Sequence, residues 1–161
     1  MWKNSKVKKY PSAGICFEVC KNEYNMEIEH IFAIDTKCGI LLAVETAFIV
    51  FSLSEFKWPN QDKVCDALFL LISLILIIVS MSSIFLALGV RKYPVQNFVE
   101  LGNLEYLKKD EQNYYIVASA LYTRAAMDVK RINNSRVTLF MRAMIEFIIS
   151  VLFYISFIID K

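Results

Sequence analysis

The order of apolar and polar positions divides the chain into three long apolar segments with polar sequence between them. The clearest segment, 67–90, holds 24 consecutive residues without a formal charge and is followed by Arg91 and Lys92. At about 1.5 Å of rise per residue it forms roughly 36 Å of helix, more than a hydrocarbon core of about 30 Å requires. Too little chain remains to surround such a helix in a soluble domain. The pattern therefore predicts a membrane-spanning helix over 64–90.

The sequence before this segment predicts a second helix that enters the membrane. Within 1–17, Pro11 and Gly14 read as helix breakers. Over 18–37 apolar and acidic residues recur at helical spacing on separate faces, and neither Pro nor Gly interrupts that stretch. We expect this helix to continue into a first span at 38–54, a short apolar segment that carries Glu45. Residues 55–63 contain Pro59-Asn60, a turn signal. A loop this short makes the first two spans an antiparallel hairpin.

The last third of the chain predicts one helix of about 50 residues, because 110–159 contains neither Pro nor Gly. From 110 to 136 apolar residues recur at helical spacing among charged ones, and from 137 to 159 the sequence is predominantly apolar and carries two charged residues, Arg142 and Glu146. We expect an amphipathic helix in water that becomes the third span. Residues 91–109 read as a polar linker before it.

Composition and charge agree with a small membrane protein. The chain is 57% apolar with a mean hydropathy of +0.44, and its net charge is only +2. Fourteen of the 18 Lys and Arg residues lie in segments 1–37 and 91–136. The positive-inside rule then predicts that both segments are cytoplasmic and that the C-terminus is outside. The basic residues of 1–17 fit either attraction to anionic lipid or this ordinary charge bias.

Polar residues fall on one stripe of each predicted span. Charged groups in lipid are expensive, so these stripes should face protein or water. One interpretation is that they join the helices, with Arg142 paired to Glu146 or to Glu45. The other is that they line a pore, which three helices rarely enclose, so that a pore requires an oligomer. The candidate pore-lining residues are Glu45, Ser52, Asp66, Ser73, Ser80, Arg142 and Glu146.

No catalytic motif accompanies these spans. The chain has no phosphate-binding glycine loop, no nucleophile elbow and no zinc-binding HExxH, and His30 is its only histidine. We therefore predict a protein that is not an enzyme and that has no catalytic residues, cofactor or metal site. Arg124, Lys130, Arg131 and Arg136 form a basic cluster on the predicted cytoplasmic helix. They are candidates for contacting a phosphate, or else they are juxtamembrane charges that face lipid headgroups.

The run from Ile34 to Ala43, Ile-Asp-Thr-Lys-Cys-Gly-Ile-Leu-Leu-Ala, resembles the "aD.KA.iLLa" signature that opens the first span of Pycsar membrane effectors. Asp35 and Lys37 occupy the two charged positions of that signature, and Cys38 replaces its usual small residue. The organisation of 114–159 is also similar to that family, although Lys130-Arg131 replaces its common Lys-Tyr pair. Related small membrane effectors serve CBASS and Hailong systems.

The resemblance implies a bacterial anti-phage effector in the inner membrane. In such systems a cyclase or nucleotidyltransferase encoded nearby makes a nucleotide or oligonucleotide signal, and the effector then damages the membrane and arrests growth. We accordingly expect an all-α membrane protein with three transmembrane helices and cytoplasmic helical extensions, assembled as a homo-oligomer, most simply a tetramer. Signal binding would open or close its ion pore. The competing hypothesis is a non-conducting scaffold that anchors a cytoplasmic partner.

Overall fold

The computed structural model describes residues 11–54, 64–89 and 110–159, with side chains in the second range from 68 onward. These residues form three helices: α1, Ala13–Ser54; α2, Val64–Gly89; and α3, Glu111–Ile159. Each is long and apolar enough to cross a membrane. This confirms the prediction of an all-helical fold with three candidate membrane spans, for the part of the chain that the structure describes. The basic residues of 1–10, the turn at Pro59-Asn60 and the linker over 91–109 lie outside it.

The helix bounds agree with the sequence pattern except at the start of α1. We expected the helix to begin at residue 18, but it begins at Ala13, directly after Pro11 and Ser12. The Cys16 N–H donates to the Ser12 carbonyl at 2.9 Å, so Ser12 closes the first turn. Gly14 does not end the helix, and a Cβ added at this position would lie 3.7 Å from the Tyr115 ring. At α3, the Tyr114 N–H donates to the Asp110 carbonyl at 3.1 Å, which places Asp110 at the N-cap.

The described residues divide into two compact units. The first, here called the two-helix unit, comprises 11–30 of α1 and 110–132 of α3. Phe17 packs on Tyr115 and Tyr122, with ring centroids 5.5 and 5.6 Å apart, and Tyr24 packs on Tyr122 at 5.7 Å. These contacts pair α1 with α3 in parallel. Small buried residues on α3, including Ala118 and Ala125, let the helix backbones approach closely.

The second unit, here called the three-helix unit, comprises 31–54 of α1, 64–89 of α2 and 133–159 of α3. Cys38 of α1 and Ile84 of α2 share a buried cluster with Ala143 of α3. At the other end, Leu70 of α2 shares a buried cluster with Tyr154 of α3, and Phe48 of α1 packs on Tyr154 with ring centroids 5.0 Å apart. Helix α2 therefore runs antiparallel to α1 and α3, as the predicted hairpin requires.

The surface of the three-helix unit is apolar and its interior is partly polar. Large hydrophobic side chains point outward on every helix, with Ile40 61% exposed, Ile78 61% and Ile148 53%. Such a surface is incompatible with water over this area but suits lipid chains. The three helices pack with their polar residues facing one another, so these residues lie in the interior of the unit.

Candidate functional site

The polar stripe of α2 faces inward, against α1 and α3. Ser73, Ser80 and Ser83 are buried within the three-helix unit. A hydroxyl inside a lipid-embedded bundle gains more from a protein partner than from a bare apolar surface. The contacts of these serines therefore show what the sequence stripe does in one protomer.

Ser73 joins α2 to α3 by a reciprocal exchange with Ser150. The Ser73 hydroxyl donates to the Ser150 carbonyl at 3.0 Å, and the Ser150 hydroxyl donates to the Ser73 carbonyl at 2.9 Å. The two hydroxyl oxygens are 3.0 Å apart. Sequence reasoning singled out Ser73 but missed Ser150, whose signal is its position four residues after Glu146 on the polar side of α3.

Ser80 lies where all three helices meet. Its hydroxyl oxygen contacts a carboxylate oxygen of Glu45 on α1 and the carbonyl oxygen of Ala143 on α3, the latter at 2.8 Å. Glu45 and Ser80 are both fully buried. The second carboxylate oxygen of Glu45, Oε2, has no hydrogen-bond partner in the described part of the chain. Glu45 and Ser80 thus hold the centre of the three-helix unit together.

A second carboxylate, Glu146, lies at the edge of this interior. Its Oε1 accepts a 2.8 Å bond from the Arg142 Nε, and its Oε2 accepts a 3.2 Å bond from the Ser83 hydroxyl. This is the pairing of Arg142 with Glu146, four residues apart, that the helix-joining interpretation anticipated. The two partners differ in exposure, because the Arg142 side chain is 64% exposed and that of Glu146 only 14%.

Arg136 joins the three helices near the end of α2. Its guanidinium donates to the Asp35 carboxylate on α1, and its Nε donates to the Ala87 carbonyl at 2.8 Å. Ala87 lies in the last turn of α2, where carbonyls lack partners within the helix. Arg136 is fully buried, whereas the Asp35 side chain is 32% exposed. This placement corrects the sequence analysis, because Arg136 is not accessible to a soluble phosphate.

The remaining predicted residues have less defined roles. Ser52 is buried at the far end of α1, and its hydroxyl has no hydrogen-bond partner among the described residues. The side chain of Asp66 lies outside the described part. Lys37, two residues from Asp35, is exposed. The structure therefore separates the two charged positions of the 34–43 signature, since Asp35 is in an ion pair and Lys37 faces outward.

In the two-helix unit, the cations Arg124, Lys130 and Arg131 are exposed on α3. Nearby, the Tyr115 hydroxyl donates to Glu111 Oε1 at 3.1 Å, and this hydrogen bond to a carboxylate raises the pKa of Tyr115. Burial raises the pKa of Tyr122. The exposed cations leave the phosphate-binding prediction open for three of its four residues.

The polar contacts can therefore hold three helices together in lipid. Among the described side chains of the predicted spans, they leave the charged Arg142 on the outer surface. Among the described residues, no group of three or more His, Cys, Asp or Glu side chains is placed to hold a metal ion. The chain matches no protein-family model, no curated protein and no solved structure.

Proposed function

We propose that this protein is the membrane effector of a bacterial anti-phage system. In this proposal it works as a homo-oligomeric ion channel of the inner membrane, most simply a tetramer, and a nucleotide or oligonucleotide from a partner enzyme gates it. The defence role rests on the similarity of 34–43 to Pycsar effectors. The oligomeric channel rests on the position of Arg142.

Arg142 carries the argument because its guanidinium is directed into the membrane. It is the sixth residue of the predicted span 137–159, close enough to the near interface for an arginine to snorkel. Instead, its Nε donates to Glu146, one turn deeper. Glu146 lies nine residues beyond Val137, or roughly 14 Å into the span at about 1.5 Å per residue, near the centre of the hydrocarbon.

A guanidinium at this depth, 64% exposed on the outside of the three-helix unit, is costly if it faces lipid. Insertion scales give about 2.5–3.5 kcal/mol for Arg at the centre of a span. The cost disappears if a second copy or a water-filled space covers this surface. Thr138, exposed one turn earlier on the same stripe, extends the polar strip. If this strip of α3 lines a channel axis, then water and neighbouring copies of the protein both surround the Arg142 side chain.

The two-helix unit adds support for assembly. Ile15, Val19 and Met26 form an exposed apolar stripe on α1, 58–68% exposed. Two helices cannot bury a stripe on their outer side, whereas a bundle formed by several copies can. The exposed cations Arg124 and Lys130 then give such a bundle a positive surface that suits a phosphate-bearing signal.

A non-conducting scaffold is the second candidate, and a specific observation favours it. Glu45, Ser73 and Ser80, which the sequence offered as pore lining, have partners inside one protomer. They act there as contacts between helices. A protein whose polar residues serve only packing anchors a partner without conducting ions.

Ion flux in liposomes separates the two candidates. Purified protein is reconstituted with a fluorescent ion reporter and exposed to a panel of cyclic nucleotides and short DNA oligonucleotides. We expect flux that at least one of these ligands changes, and its loss in Arg142→Leu. Lys37→Leu is the matched control, because it also removes an exposed cation from the three-helix unit but at the end of the span. Absence of flux under every condition favours the scaffold, and unchanged flux in Arg142→Leu rejects the proposed pore face.

A further inference from the structure

The carboxyl group of Glu45 is placed unlike the other acids of the three-helix unit. Glu45 is the eighth residue of the 17-residue predicted span 38–54, so it lies about halfway across. It is fully buried, and its Oε2 has no hydrogen-bond partner within the described ranges. An ionised carboxylate usually accepts several hydrogen bonds, so a bare oxygen at this depth requires an explanation.

The number of hydrogen atoms available at Ser80 explains the unpaired oxygen of Glu45. Its hydroxyl oxygen is within hydrogen-bond distance of both Glu45 Oε1 and the Ala143 carbonyl oxygen. Both atoms are acceptors if Glu45 is ionised, and a hydroxyl has only one hydrogen to donate. If Glu45 carries a proton on Oε1, it donates to Ser80, and Ser80 donates to Ala143. Each contact then has its own hydrogen, and Oε2 becomes the carbonyl oxygen of a neutral acid.

The charged groups around Glu45 lead to the same assignment. Glu146 on α3 bonds to Ser83, which lies three residues after Ser80 on α2, and it also bonds to Arg142. On α2, Ser80 is the residue that bonds to Glu45, and the described side chains of that helix, 68–89, include no ionisable group. On α1, the ionisable residues nearest to Glu45 in the sequence are Cys38, Lys37 and Asp35. Lys37 is exposed, and Asp35 is paired with Arg136.

A negative charge is therefore stabilised on Glu146 and not on Glu45. Glu146 has a cation, Arg142, bonded to it, whereas Glu45 has no bonded cation among the described residues. An unpaired charge on buried Glu45 is strongly unfavourable, whereas a neutral acid with a hydrogen-bond acceptor does not incur that penalty.

We propose that Glu45 is a proton-binding site inside the membrane-embedded bundle, with Ser80 as the acceptor of its hydrogen bond and Glu146 as the neighbour that keeps the negative charge. On binding, an O–H bond forms at Glu45 Oε1 with a proton from a hydronium ion, which becomes water. Separation of the three helices breaks the contact with Ser80 and exposes the acid, so the proton is released at neutral pH. The state of the bundle is thus coupled to pH, whether or not the protein conducts ions.

Infrared spectroscopy tests the proton directly. Full-length protein in phosphatidylethanolamine–phosphatidylglycerol vesicles should show the C=O stretch of a protonated carboxylic acid at neutral pH, and the band should shift in D₂O. Glu45→Gln should remove the band and Glu146→Gln should retain it. Glutamine is nearly isosteric, and its amide also donates to Ser80. Ser80→Ala should move the band, because the acid loses its acceptor. The proposal is wrong if the wild-type protein has no such band at neutral pH, or if the band survives Glu45→Gln.

Stability against pH gives a second measurement that does not depend on the infrared assignment. The folded protein holds a proton that the unfolded chain releases at neutral pH, so wild-type stability must fall as pH rises. In Glu45→Gln this fall should be reduced. A Na⁺ ion in place of the proton would instead make wild-type stability depend on Na⁺ at constant ionic strength and would leave no carboxylic acid band. That pair of results would overturn the assignment.

Discussion

Removal of Asp35 should destabilise the protein more than its partial exposure suggests, because Arg136 would keep its charge in the interior. The guanidinium is fully buried, and its acceptors include the Asp35 carboxylate and the Ala87 carbonyl. In Asp35→Ala the carboxylate is lost, and the bond to the carbonyl of α2 remains. The positive charge then loses the carboxylate of its ion pair and keeps the partial negative charge at the end of α2.

The size of the effect follows from the burial of the two partners. Breaking a buried ion pair by removing one partner costs about 3–5 kcal/mol. Asp35 is 32% exposed, so water can enter its place and solvate part of the guanidinium. We therefore expect a cost below that range, about 2–3 kcal/mol. For a protein of this length that corresponds to a decrease in Tm of roughly 4–12 °C.

The assay is thermal unfolding of purified protein in detergent, followed by tryptophan fluorescence and circular dichroism. Lys37→Ala is the matched control, since this exposed charge lies on the same helix two residues away, and its loss should change stability by less than about 0.5 kcal/mol. Arg136→Met alone and combined with Asp35→Ala completes a double-mutant cycle. The double variant should be more stable than Asp35→Ala, because no buried charge remains. Equal Tm values for Asp35→Ala and Lys37→Ala, or additive effects in the cycle, would refute this reasoning.

Three further predictions concern other contacts. Ser73→Ala should lower stability by about 0.6 kcal/mol and by at most about 1.7 kcal/mol, as measured in the same unfolding assay, whereas exposed Ser82→Ala should have no effect. Gly39→Ala should raise protomer stability by about 0.5–1 kcal/mol, because a Cβ at this helical position meets no atom within 4 Å. Above the ordinary pKa of tyrosine, the folded chain keeps a proton on Tyr115 that the unfolded chain loses, so stability should fall with rising pH, and Glu111→Gln should weaken that fall.

The helices could be predicted from the sequence because the features that indicate a helix lie within a short stretch of the chain. Length, apolar content and the absence of Pro between 110 and 159 were enough to predict one continuous helix, and α3 runs from Glu111 to Ile159. The start of α1 was placed five residues late, because Gly14 read as a breaker. That signal is weak in a first turn, where four N–H groups already lack helical partners and a glycine disturbs little.

The hydrogen-bond and ion-pair partners of the polar residues could not be predicted from the sequence, because the two partners lie far apart along the chain. The spacing of Ser73 and Ser80 predicts one polar stripe on α2, but it does not say whether that stripe faces the same protomer or another. Arg136 illustrates the same difficulty. Its sequence neighbours suggest an exposed basic cluster, whereas Asp35 lies 101 residues away and Ala87 lies 49 residues away. Only the packing of three helices brings them together.

The ionisable groups of the spans illustrate three different responses to lipid. Arg136 is buried with a counter-ion and a helix carbonyl. Glu45 is buried, no cation of the described ranges is bonded to it, and protonation is the response that the hydrogen bonds at Ser80 favour. Arg142 has a counter-ion but remains exposed, so a single protomer does not fully satisfy it. The first two responses depend on contacts within one chain. The third depends on what covers the outer surface of the chain at Arg142. The proposed proton on Glu45 and the proposed pore beside Arg142 can therefore be refuted separately. The infrared band does not report on assembly, and the effect of Arg142→Leu on ion flux does not report on Glu45.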